Sequence, residues 1–197
     1  MLARSESAPP ALAAVVLAGA ELRLDPSGAL LWPDEGLMVV ADLHLEKGSA
    51  FARRGQMLPP YDTLDTLRRL AAAVALHRPR LIVALGDSLH DRWAGERMAD
   101  PVRDEIRRLQ AGRSFVWIAG NHDPAPNDLG GEGAEALAIG PLLFRHEPAE
   151  GAAPGRCAGT CIPPPASPCA DAACGGAASS PMAAAWCCRP SVPMRAA

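Results

Sequence analysis

Aromatic side chains make up only 4% of this 197-residue chain, so its core has to be built mostly from Ala, Leu, Val and Ile. No apolar run reaches the roughly 18 residues that a membrane-spanning helix requires. There is no excess of positive charge either. The net charge is -3 and the pI about 5.9, which excludes a generally basic nucleic-acid coat while leaving room for a local patch. An apolar share of 49% excludes wholesale disorder, and the length suits one domain with at most a short appendage.

Other absences depend on position. No cysteine precedes Cys157, no histidine follows His146, no leucine follows Leu143 and no glutamate follows Glu150. The chain reads as two texts joined near residue 154: an ordered domain over 1–154 and an Ala/Pro/Cys-rich tail over 155–197.

The apolar run 11–20 could belong to a signal peptide, but Glu6, Pro9 and Pro10 stand against that. It flows into the alternating segment 21–25, which reads as a strand, and the turn at 26–28 returns the chain through 29–32. An N-terminal hairpin and a cytoplasmic address with reduced thiols are the expectation. Further on, 37–41, 81–85 and 114–119 are short apolar runs consistent with buried strands, and 142–144 is a fourth candidate. Segment 62–77 carries Leu64, Leu67, Leu70, Val74 and Leu76 near helical spacing, with Asp62 as a candidate N-cap and Pro79 past the end. Segment 100–110 reads as a second helix, with Pro101 in its first turn and Gly112 beyond it. Strands alternating with helices predict an α/β fold around a largely parallel sheet.

Each strand candidate ends in polar residues: Asp42-x-His44, Gly86-Asp87, Gly120-Asn121-His122-Asp123 and Arg145-His146. Ligands bind at the carboxyl ends of the strands in such sheets, so Asp42, His44, Asp87, Asn121, His122 and His146 are expected to converge. Carboxylate, imidazole and amide oxygen suit manganese, iron or zinc rather than a thiolate-loving metal. Two such ions can clamp a phosphoryl group and activate a water.

These motifs resemble the signature of the calcineurin-like metallophosphoesterases, whose pattern runs D-x-H, G-D-x-x-D, G-N-H-D/E, a lone His, and G-H-x-H. Asp91 comes one residue late in that pattern, so no role passes to it. The stretches 41–49, 54–55, 58–63 and 85–91 are similar to a bacterial subfamily, the ligase-associated DNA-damage-response phosphoesterase. The resemblance covers roughly residues 15–154. It implies a two-sheet sandwich flanked by helices and two divalent ions, manganese first, with iron or zinc as alternatives. Asp42 and His44 would hold the first ion, Asp87 would bridge, and Asn121 and His146 would hold the second. His122 would contact the phosphate and serve the leaving oxygen. The implied substrate is a phosphodiester, with DNA as the leading case and a DNA ligase or helicase as partners. The alternatives are a phosphoesterase acting on a small nucleotide and a non-catalytic scaffold.

Blander readings apply to other residues. His77, near a helix end, reads as a cap, and His90 lies in a site loop with its role open. Arg53, Arg54, Arg68, Arg69, Arg107 and Arg108 could steer a phosphodiester, although arginine pairs on helices are more often solvated faces.

The tail admits three readings: a disordered linker, a zinc module, or an out-of-frame translation. Its cysteine spacings fit no common zinc pattern. Regrouping the codons by one base makes Gly-His-Leu-His-Pro available over 158–163, where the missing G-H-x-H motif belongs. On that reading two imidazole ligands and the closing strands are lost, and the chain is expected to be a weakened enzyme.

Overall fold

The computed structural model describes residues 12–56, 62–124, 127–147, 156–158 and 187–188. Its first sheet has seven strands in sequential order: β1 (Ala13–Leu17), β2 (Ala20–Leu24), β3 (Leu30–Trp32), β4 (Leu37–Val40), β5 (Leu81–Leu85), β6 (Ser114–Ile118) and β7 (Glu132–Ala134). The strands from β1 to β4 pair antiparallel, and those from β4 to β7 pair parallel. The sheet is therefore mixed, not largely parallel as the sequence suggests, because the N-terminal segments return through tight turns. The first of these is at Ala18 and Gly19, both at positive φ. It splits the apolar run 11–20, whose strand ends at Leu17. A two-residue turn of this hand matches the twist of the flanking strands.

The second sheet orders β11 (Cys187–Cys188), β10 (Arg156–Ala158), β9 (Leu142–Arg145) and β8 (Ala136–Ile139). Only Glu135 separates β7 from β8, so the chain crosses between sheets there. The strand expected at 142–144 thus belongs to the second sheet. Two short pieces of the tail are strands beside it; the remainder of the tail, including the 159–163 segment of the regrouped motif, lies outside the described residues.

The alternating side chains of the first sheet divide the core in two. Met38 and Val40, Ile82 and Ala84, and Phe115 and Trp117 face the helices. Leu37 and Val39, Val83 and Leu85, and Val116 and Ile118 face Leu142, Phe144 and Cys157 of the second sheet. Burial on both faces explains why these strands read as continuous apolar runs.

The helices α2 (Asp62–His77) and α4 (Asp100–Gln110) cover the first face with Leu67, Leu70, Val74, Val102, Ile106 and Leu109. Leu76 falls off this stripe and is 63% exposed. Two short helices, α1 (Lys47–Ala52) and α3 (Ala94–Arg97), were not evident in the sequence. The start of α1 is capped from a neighbour: Glu46 N–H donates to Thr63 Oγ1 and Gly48 N–H to Asp62 Oδ2, each at 2.8 Å. Asp62 therefore serves the start of α1. Such bonds satisfy donors that a helix start leaves unpaired. His77 meets Asp25 Oδ2 at 2.9 Å, tying the end of α2 to the turn after β2. Among the described residues no helix is long and apolar enough to cross a membrane.

Candidate metal centre

The site forms where β4, β5 and β6 end. Beyond Val40 the chain stays joined to the segment beyond Leu85 through backbone bonds. Asp42 N–H donates to Gly86 O, His44 N–H to Asp87 O, Leu45 N–H to Ser88 O and His90 N–H to Leu45 O. The pairing costs regular geometry. Asp42, His44 and Asp87 have φ of 52°, 44° and 47°, in the left-handed region that L residues other than glycine seldom occupy. Strain of this kind costs on the order of 1–3 kcal/mol per residue, and it collects where a functional geometry is imposed.

The strained residues bring their side chains together. Ligand atoms of Asp42, His44 and Asp87 all lie within 4.8 Å of one another. His146 joins them, with Nε2 3.4 Å from Asp87 Oδ1 and Nδ1 3.2 Å from the Leu85 carbonyl. That carbonyl fixes the ring and leaves Nε2 directed at the centre. The His122 backbone N–H donates to Asp87 Oδ1 at 2.9 Å, and its ring Nδ1 lies 3.1 Å from His90 O. The His122 side chain is half exposed, which puts it at the mouth.

Asn121 is engaged differently. Its Nδ2 donates to Glu147 Oε1 at 2.8 Å, a bond that does not use Oδ1, the atom that would ligate an ion. Asp123 is buried, and its Oδ2 accepts from Leu89 N–H at 3.0 Å; it braces the loop after β5. Asp91 forms a two-pronged pair with Arg97.

Glycines allow the closeness. A Cβ on Gly86 would collide with the His146 ring, and one on Gly120 with Asp87 and Asp123.

Charge is set by burial and neighbours. Burial alone would raise the Asp87 carboxyl, but the hydrogen bonds from His146 and the His122 N–H, with the charge of His146, hold it down at about 2. Burial would lower His146, and its bond to Asp87 outweighs this and raises it. Burial lowers His44 despite Asp87 and Asp42. His90 is lowered by burial and by the neighbouring histidines. Lys47 pushes His44 and His90 further in the same direction. Burial raises Asp123.

His90 was the residue the motif pattern left without a role. Its ring centroid stands 5.9 Å from His44 and 5.8 Å from His122. Glu147 and Lys47 were not evident in the sequence; their only signal was adjacency to His146 and proximity to His44. The arginine pairs divide. Arg68, Arg107 and Arg108 are exposed and bound to carboxylates three residues away, as solvated helix faces would be.

The residues fit a divalent ion. Two carboxylates and imidazoles form a hard-to-borderline donor set, and His44 Nδ1 is buried with no hydrogen-bond partner, a donor atom awaiting something to bind.

Residues 37–154 match the calcineurin-like phosphoesterase family. The crystal structure of the Pseudomonas putida nuclease MPE is similar, with 28% identity and a TM-score of 0.57, over 71% of this chain and 68% of that one. No curated protein matches the chain. Because the family match takes in more than half the chain and spans all the strand ends that build the centre, this chain belongs to the calcineurin-like phosphoesterases, hydrolases that act on phosphate esters with divalent metal ions.

Proposed function

We propose that this chain hydrolyses phosphodiesters in DNA using two manganese ions. The observation that carries the reading is the convergence of Asp42, His44 and Asp87 within 4.8 Å. Asp42 and His44 would hold one ion, Asn121 and His146 the other, and Asp87 would serve both. When bound, the ions supply Lewis acidity to the phosphoryl group and to water. The protein's own groups do the rest. Burial and the Leu85 carbonyl keep His146 oriented. The His90 carbonyl takes Nδ1–H of His122, leaving Nε2 to face the substrate and, on the protonated ring, to give its hydrogen to the leaving oxygen.

Support for a nucleic-acid substrate comes from the nuclease neighbour and from the resemblance of 41–49 and 85–91 to the DNA-damage-response subfamily. A role in DNA repair beside a ligase or helicase extends the same reading. Residues 1–154 carry the centre, and 155–197 are read as an out-of-frame tail that leaves the enzyme weakened.

The test is hydrolysis of a single-stranded oligonucleotide and of a chromogenic phosphodiester during manganese titration. Cleavage of both that requires the metal and is lost in Asp87→Asn is expected. Cleavage of the small ester alone would favour a nucleotide substrate. No cleavage with manganese, iron or zinc would leave the scaffold reading.

A further inference from the structure

The rim of the centre carries cations and aromatic rings that the ligand scheme does not use. Lys47 begins α1 and its charge acts on both His44 and His90. Phe51 of the same helix lies 5.7 Å from the His90 ring. Three residues beyond His90, Trp93 is 44% exposed, and the Arg92 guanidinium sits 4.2 Å from its ring centroid. An exposed tryptophan would ordinarily swing freely, but this loop is held. Trp93 N–H donates to Asp91 Oδ1, Asp91 is clamped by Arg97, and Arg97 Nε reaches Ser49 Oγ of α1 at 3.1 Å. The loop after β5 and α1 therefore form one tied unit beside the metal centre.

Several cations of this unit and its flank are unpaired. Arg68, Arg97, Arg103, Arg107 and Arg108 are each bound to a carboxylate. Lys47, Arg53, Arg54 and Arg92 form no ion pair among the described residues, and all four are exposed. On a chain of net charge -3, unpaired cations beside the exposed Trp93 ring and the half-buried Phe51 ring are complementary to a polyanion with flat faces. In a duplex those faces are occupied by neighbouring bases, so a ring like Trp93 needs an unpaired strand to stack on.

The geometry points to Lys47, Phe51, Arg92 and Trp93 as a platform for a single-stranded nucleic acid, with Trp93 stacking on a base beside the phosphate presented to the centre. This rests on the phosphodiester reading above and adds the strand-binding residues to it.

The test is binding of a fluorescein-labelled twelve-residue oligothymidylate to the full chain, with chelator present so that no metal contributes. Base stacking on one aromatic residue sets the scale: Trp93→Ala should weaken binding about tenfold, and Trp93→Phe should restore most of it. The oligonucleotide should quench tryptophan fluorescence in the unaltered chain by more than in Trp93→Phe: Trp32 and Trp117 are buried, and Trp186 is common to both chains, so the difference between them reports Trp93. Lys47→Gln and Arg92→Gln should each reduce the salt dependence by about 0.7 in log–log slope. Arg107→Ala, which removes a cation already paired with Asp104, should change none of these. No binding by the unaltered chain, equal binding by Trp93→Ala, or an equal loss in Arg107→Ala would overturn the platform. Binding through Trp93 without hydrolysis on adding manganese supports the platform and defeats the hydrolytic reading. Hydrolysis of the oligonucleotide that is indifferent to Trp93→Ala defeats the platform alone.

Discussion

Single residues at this centre work within very small tolerances. Gly120 is the sharpest case, since an added Cβ would meet the Asp87 backbone nitrogen and carboxylate as well as Asp123. Neither partner is the loose end of a flexible chain, so Asp87 has to move. Gly120→Ala should cost about 1–3 kcal/mol through overpacking, read as a lower denaturation midpoint, and should weaken manganese binding by calorimetry. Retention of unaltered metal affinity would mean that Asp87 is not the bridging group. Away from the centre, Asp25 offers a cleaner electrostatic test. Burial would raise its carboxyl, but the hydrogen bonds from Ser27 and His77 lower it below its ordinary 3.8. A depressed carboxylate stabilises the fold above its unfolded value, and that contribution disappears as pH falls through the folded value. The stability gap between the unaltered chain and Asp25→Asn should therefore be full at neutral pH and close at pH below about 4. Denaturant titrations across that window check it, and a gap that persists into acid would assign the tie to packing instead.

At the level of elements, α1 shows how a short segment is held in place by its neighbours. Six residues do not make a stable helix alone, and the donors at its start are satisfied by Thr63 and Asp62 of α2. Thr63→Val should cost about 1 kcal/mol, the usual worth of a lost cap. It should also raise amide exchange over Lys47–Ala52 more than over β5. Equal protection in both would show that packing alone holds α1. The same dependence explains which elements the sequence disclosed. The runs at β4, β5 and β6 are buried on both faces and declare themselves by continuous hydrophobicity. Helix α4 has Pro101 near its start and Gly112 past its end. α1 and α3 have no such signal, because their positions come from long-range caps and from the Arg97–Asp91 clamp. β7 and β8 contain Gly133 and several alanines, and their pairing with β6 and β9 is tertiary. The convergence of Asp42, His44, Asp87 and His146 was legible for a related reason: a polar residue immediately after each buried run has no packing purpose. The tie of Asn121 to Glu147 could not be read that way, since 26 residues separate them.

At the scale of the whole molecule, the second sheet and the tail decide how much of a complete enzyme this chain can be. Phe144 is fully buried between the sheets with Leu142 and Cys157, and β9 carries the chain directly to His146. The second sheet thus both closes a core and delivers His146 to the centre. A fully buried phenylalanine truncated to alanine costs about 3–5 kcal/mol, so Phe144→Ala should lower stability by that amount and weaken manganese binding with it. The tail supplies β10 and β11 of this sheet, and the chain has no histidine after His146. If the reading frame slips by one base within 145–165, the true product gains two imidazoles at Gly-His-Leu-His-Pro. Resequencing the gene across those codons should reveal a single inserted or deleted base. A chain made in the restored frame should then bind manganese more tightly than the 197-residue form. Because a ligand that binds only the folded state stabilises it by about 2.7 kcal/mol at a hundred times its dissociation constant, the difference is readable as a larger manganese-induced shift in melting temperature. An unbroken frame in the gene, or equal manganese shifts in both forms, would mean that no histidine of a shifted tail contributes to the centre.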